Sequence, residues 1–173
     1  LGPHLSVNIN ISPKQFLDPV FLQHLERTRT SLNVRPDQVK LEITEQIFVE
    51  SAATLAVIEE CRKLGYKICL DDFGTGYSSI SFLKQMNLDV LKIDQSFIRQ
   101  TNFDHKSKSI LKTIISLGAD LGMTCVAEGI ETQEIADVLI ELGCSHGQGY
   151  LFGRPQPLEY FLNAGRPALK KAA

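Results

Sequence analysis

Much that this chain lacks narrows what it can be. It has no marked excess of either charge: 18 Lys and Arg stand against 20 Asp and Glu, a net charge of −2 at pH 7. The basic footprint with which nucleic-acid-binding proteins neutralise phosphates is therefore missing, and we expect no nucleic-acid polymer as partner. Two small basic clusters, His105-Lys106-Ser107-Lys108 and Lys170-Lys171, read as solvated surface. Uninterrupted apolar runs are only a few residues long, far short of a membrane-spanning helix, and no charged-then-apolar leader opens the sequence. The four cysteines, Cys61, Cys69, Cys125 and Cys144, show no C-x-x-C spacing, and two of them interrupt apolar strand-like runs where a thiol acts as a small hydrophobe. A reducing compartment fits, so we expect a cytoplasmic chain or a cytoplasmic domain of a larger, membrane-attached protein. His4, His24, His105 and His146 are scattered and form no paired motif of the zinc-peptidase kind. Gly147, Gly149 and Gly153 match neither a dinucleotide fingerprint nor a P-loop.

What is present is an ordinary globular composition, 43% hydrophobic and 22% charged over 173 residues, enough for one domain with a sizeable core. The sequence opens at Leu1 and enters strand-like residues almost at once, from which we expect a piece of a longer polypeptide. Apolar alternation predicts strands over residues 5–12, 39–44, 66–73, 89–97, 123–130 and 147–152. Helices are predicted between them: one capped by Ser51 and stopped at Gly65, one over residues 109–121, one opened by Thr132 and ended at Gly143, and a last one with Pro157 in its first turn.

Strict strand–helix repetition implies a parallel sheet with right-handed crossovers. In a doubly wound sheet both faces of a central strand are covered and apolar. Here every strand keeps one polar stripe: Ser6, Asn8, Asn10 and Ser12 on the first, Lys40, Glu42 and Thr44 on the second, Lys92 and Asp94 on the fourth, Thr124 and Glu128 on the fifth. A TIM-type (β/α) barrel explains such stripes as inward residues that turn polar toward the carboxyl-terminal mouth. A complete barrel of eight units takes about 250 residues. The chain supplies about six units, and we expect a barrel incomplete at its N-terminus, a domain over residues 1–165 and a tail over 166–173.

Near the strand ends lie Asn10, Glu42, Asp71, Asp72, Lys92, Glu128 and Gln148. Carboxylates and amides converging this way call for cations, and oxygen donors without histidine or cysteine suit Mg2+ or Mn2+. Bland alternatives exist for each: Asp71 and Asp72 as a capped loop start, Lys92 with Asp94 as a buried structural ion pair, Glu42 as a solvated acid.

Six stretches in order, VNINIS (7–12), LEITE (41–45), DDFGTGYSS (71–79), LKID (91–94), AEGIE (127–131) and GQGYLFGRP (147–155), resemble the successive motifs of the EAL domain, the bacterial cyclic di-GMP phosphodiesterase family. That resemblance implies a modified eight-stranded barrel that hydrolyses cyclic di-GMP to the linear dinucleotide pGpG with two Mg2+ or Mn2+ ions. By motif, Asn10, Glu42, Asp71, Asp72 and Glu128 are implied metal ligands, one Asp bridging both ions. Glu128 is implied to help deprotonate the nucleophilic water, Lys92 to orient that water or steady the phosphate, Gln148 to support the same site, and Glu45 to brace the loop after Asp72. Partners implied are cyclic di-GMP, a second copy in a homodimer, and an upstream cyclase-like or sensory domain in the parent protein. The family's Glu-Ala-Leu segment, whose Glu is a metal ligand, belongs upstream of VNINIS and does not occur in this sequence. Impaired hydrolysis is therefore expected of the chain by itself, and the alternative is a catalytically inactive cyclic di-GMP-binding signalling module.

Overall fold

The structure is a computed structural model that describes residues 5–76, 80–99 and 104–163; the predicted tail at 166–173 lies outside the described residues. Six parallel strands run β1 (Val7–Asn10), β2 (Val39–Thr44), β3 (Lys67–Phe73), β4 (Val90–Ile93), β5 (Thr124–Ala127) and β6 (His146–Gly147), and they pair in that same order. Sequential order with every neighbour parallel is the winding of a β/α barrel, here open between β1 and β6.

Among the described residues, eight α-helices connect and cover the strands: α1 (Pro13–Phe16), α2 (Phe21–Ser31), α3 (Ser51–Lys63), α4 (Ile80–Gln85), α5 (Gln95–Ile98), α6 (His105–Asp120), α7 (Gln133–Glu141) and α8 (Leu158–Asn163). Their starts follow side-chain capping. Ser12 and Gln15 form a capping box on α1, Asp104 accepts from Ser107 N at the head of α6, and Thr132 accepts from Ile135 N at the head of α7.

The predicted strands at 89–97 and 123–130 run too long. Asp94 leaves the strand to cap α5, and Gly129 takes a left-handed φ of +71°. The predicted strand at 147–152 reduces to His146–Gly147, because Gly149 lies against the backbone of Ile130, where a Cβ would sit 2.1 Å from the Ile130 carbonyl oxygen. The helix predicted over 109–121 begins earlier, at His105, because Asp104 is the better-placed cap.

The core lies outside the sheet, not within it. Leu41, Ile43, Ile68, Leu70, Leu91, Ile93 and Ala127 are fully buried under the helices, against Ile58 and Cys61 of α3, Leu111 of α6 and Leu139 of α7. The opposite, inward face carries the polar stripe. At the amino-terminal rim Asp89 accepts from Ile68 N (3.0 Å) and pairs with Lys67 (2.8 Å) and Arg62 (3.1 Å). On the outside, Glu26 of α2 takes a bidentate guanidinium from Arg29 (2.8 and 2.9 Å) and the hydroxyl of buried Tyr66, tying α2 to the entry of β3.

Arg29, and next the Tyr66 hydroxyl, hold the Glu26 carboxyl below its ordinary value of 4.5. A carboxyl depressed by folding stabilises the fold above its unfolded pKa and ceases to do so as pH falls through its folded value. Urea unfolding of Glu26→Gln should therefore show a deficit that is full at pH 7 and shrinks below about pH 4.5. Tyr66→Phe should lower stability by about 1 kcal/mol at pH 7.

Candidate metal centre

Asp71 and Asp72 lie near the end of β3, just before Phe73, and neighbours on a regular strand face opposite sides. The strand is not regular there. Its register with β4 shifts between Leu70 and Phe73, and Asp72 adopts φ +54°, a left-handed conformation in which Asp is one of the few side chains enriched. The bulge turns both carboxylates to one side. One oxygen each from Asp71, Asp72 and Glu128 fall within 4.8 Å of one another.

Glu45, in the short 3-10 turn after β2, is buried and receives the Gly74 amide at 2.8 Å, so it grips the loop that follows the two aspartates. Its second oxygen, Oε2, is buried without a hydrogen-bond partner among the described residues. A Cβ at Gly76 would meet that oxygen at 2.4 Å, which is why the loop passes here without a side chain.

At the centre stands Lys92 of β4, 5% exposed. Its Nζ lies 2.9 Å from Glu42 Oε1, 2.8 Å from Asp71 Oδ1 and 2.7 Å from Glu128 Oε1. Burial works to lower the Lys92 pKa, but its bonds to the accepting carboxylates of Asp71, Glu128 and Glu42 outweigh it and hold the ammonium protonated well above the usual lysine range. Burial raises the Glu128 pKa, against the opposing pull of Lys92. Asp72 is raised too, by burial and then by the charges of Asp71 and Asp94.

Two amides extend the ring. Asn8 Nδ2 donates to Glu42 Oε1 at 2.7 Å, and Gln148 Nε2 donates to Glu128 Oε1 at 2.8 Å. Asn10, the residue matched by motif, is the register partner of Glu42 at the end of β1 and is exposed. Lys92 and Asp94 do not form the ion pair that their spacing allowed; Asp94 instead accepts from Ser96 N at 2.9 Å. Sequence reasoning passed over Asn8 as a contact and missed a neighbouring cavity of about 500 Å3 altogether. Its wall includes Glu128, Gln148, Arg99, Glu131, Tyr150 and Arg154, with the Arg154 guanidinium stacked 4.3 Å from the Tyr150 ring centre and Arg99 paired with Glu131 at 3.1 Å. Glu131, Tyr150 and Arg154 belong to the motifs AEGIE and GQGYLFGRP, whereas nothing in the sequence singled out Arg99.

The donor set fits hard divalent cations. Glu42, Asp71 and Glu128 share the single ammonium of Lys92, and Asp72 stands beside Asp71 and Glu128 in the same partly buried space. All donors are oxygens, and Asp72 has no cationic hydrogen-bond partner among the described residues.

Comparison with known proteins agrees with this geometry. A family model described as the EAL domain matches residues 1–155. The chain is 37% identical over 164 residues to MucR of Pseudomonas aeruginosa, a bifunctional diguanylate cyclase/cyclic di-GMP phosphodiesterase; the match covers 93% of this chain and 24% of MucR. Among solved structures it is similar to the EAL enzyme Bd1971 in its cAMP- and cyclic-di-GMP-bound form, with a TM-score of 0.88 and 42% identity over 92% of this chain and 42% of that one. It is also similar to Klebsiella pneumoniae BlrP1, solved in calcium and in manganese complexes with cyclic di-GMP, with a TM-score of 0.80 and 33% identity over 87% of this chain and 39% of that one. The chain spans about a quarter of MucR and about two fifths of the curated relative RocR. With the model matched from residue 1 to residue 155 and the strand-end acids gathered on one face, the chain belongs to the EAL domain family.

Proposed function

We propose that this chain is the carboxyl-terminal, cation- and substrate-binding portion of a cyclic di-GMP phosphodiesterase. One observation carries the reading: Asp71, Asp72 and Glu128 converge at the carboxyl ends of the strands, directly beside a cavity lined by aromatic, guanidinium and amide groups. Asn10, Glu42, Asp71, Asp72 and Glu128 are the residues that would hold two divalent ions, Mg2+ or Mn2+. When bound, such ions supply positive charge against a phosphodiester and acidify water.

The chain's own residues do the rest. The β3 bulge aims two adjacent carboxylates at one point, and Glu45 keeps the following loop from drawing Asp72 away. Gln148 fixes the Glu128 carboxylate so that it is set to accept a proton from the attacking water. The cavity on the Glu128 side offers a stacked Tyr150–Arg154 pair and the Glu131 carboxylate, a combination able to take a purine face and its hydrogen-bonding edge.

A second reading is a binding module that holds cyclic di-GMP in the cavity beside Glu128 without cleaving it. We further propose a homodimer, to which the exposed Val7 and Ile9 of β1 offer apolar surface.

Calorimetry should detect cyclic di-GMP binding in the presence of Ca2+ and none after chelation, and Asp72→Asn should weaken it at least tenfold while leaving circular dichroism unchanged. Equal binding with and without Ca2+ would remove the metal-centred reading. With Mg2+ the chain should convert cyclic di-GMP to pGpG slowly or not at all; fast turnover would mean that the five named ligands suffice. Light scattering should report a particle of twice the chain mass, and a monomer would count against the dimer.

A further inference from the structure

Lys92 is bonded by carboxylates from three different parts of the sheet: Glu42 on β2, Asp71 on β3 and Glu128 just past β5, at 2.9, 2.8 and 2.7 Å. An ammonium has three protons and accepts nothing. Three carboxylate oxygens within hydrogen-bond distance surround the ammonium, so its charge is directed at the ring of acids. Each carboxylate, in contrast, spends one oxygen on Lys92 and keeps the other. Glu42 illustrates the economy: the same Oε1 that meets Lys92 also accepts from Asn8 at 2.7 Å. Glu128 does likewise, its Oε1 meeting both Lys92 and Gln148.

We propose that Lys92 is a positioning residue, a resident cation that holds Glu42, Asp71 and Glu128 together through one set of oxygens and thereby leaves the other set arranged for divalent ions. The role differs from direct contact with water or phosphate, which the family resemblance implied. It rests on the reading that these carboxylates take divalent cations, and it adds what keeps them assembled. Its physical basis is the expense of grouping like charges away from water: partly buried carboxylates without a counter-charge repel one another, take up protons or draw apart. With Lys92 in place the ring does not need the divalent ion in order to form. Without Lys92 it does.

The consequence is a change in linkage. A ligand that binds the folded chain stabilises it, and the gain is greatest where that ligand supplies a charge the fold otherwise lacks. Thermal unfolding of the wild-type chain, Lys92→Met and Lys92→Gln, each in EDTA and in millimolar Mn2+ or Ca2+, reads this directly. Wild type should shift by only a few degrees between the two conditions. Lys92→Met should melt about 10 °C lower than wild type in EDTA and recover at least half of that loss with the cation. Lys92→Gln, neutral but still a donor, should behave in the same way with a smaller loss. Lys67→Met is the control: it removes an ion pair at the opposite rim, and its loss should not respond to the cation.

A Lys92 variant that is unfolded in EDTA and folds on addition of Mn2+ also supports the proposal. Equal losses with and without Mn2+ would overturn it, and so would both variants remaining unfolded in Mn2+. Calorimetry with Mn2+ alone separates the two readings. If wild type binds the ion while the variants gain no extra stabilisation, the positioning role fails and the metal-centred function stands. If wild type binds neither Mn2+ nor Ca2+, the functional reading itself fails.

Discussion

The architecture of this site turns on one ammonium meeting three carboxylates at the carboxyl ends of a parallel sheet. Acids placed at the ends of neighbouring strands repel unless something positive stands among them. Lys92 is that group, and it can reach all three because sequential parallel winding puts β2, β3, β4 and β5 side by side. Register does the rest: Glu42 pairs with Cys69, two residues before Asp71, and Lys92 with Val126, two residues before Glu128, so the acids rise on one face in steps that the long side chain of Lys92 spans. The apolar stripe facing the helices supplies the stability that lets this face be so polar. Leu41, Ile43, Leu70, Leu91 and Ile93 are entirely removed from solvent behind it.

A sheet alone could not bring Asp71 and Asp72 to one point. The bulge in β3 and the left-handed backbone of Asp72 do so, at a conformational expense of order 1–3 kcal/mol that persists only where the surroundings over-determine it. Here the surroundings are identifiable. Glu45 holds the Gly74 amide, and the ring of Phe97 closes over Gly74, where a Cβ would come within 2.4 Å of it. The Oε2 of Glu45, without a hydrogen-bond partner among the described residues, faces Gly76.

The fold was readable because each strand alternates cleanly, and because a polar stripe repeated on strand after strand fits a barrel interior and not a doubly wound sheet. Where reading failed, two different elements had similar patterns. The alternation of LKIDQSFI continues past Ile93 although Asp94 already caps a helix, so the strand was drawn too long. Helix α2 has no fully buried residue and meets the core through the partly buried Phe21, Leu22 and Leu25, while α1, α4 and α5 are only 4, 6 and 4 residues long. In the site, motif matching named Asn10, but the amide that touches Glu42 belongs to Asn8, two residues earlier on the same face. Sequence could place both on the inward stripe; only the register and the side-chain reach show that it is Asn8 that touches Glu42. Arg99 was illegible for another reason, since its significance lies in a pairing with Glu131 across 32 positions.

The claim beneath all of this is that oxygen groups from separate strands form one divalent-cation centre. Diffraction from crystals of the chain grown with Mn2+, recorded at the manganese absorption edge, tests it most directly. The account predicts anomalous density among Asp71, Asp72 and Glu128 with Lys92 still bonded to the ring. Manganese bound only elsewhere on the surface, or Asp72 turned away from Asp71 and Glu128, would contradict it.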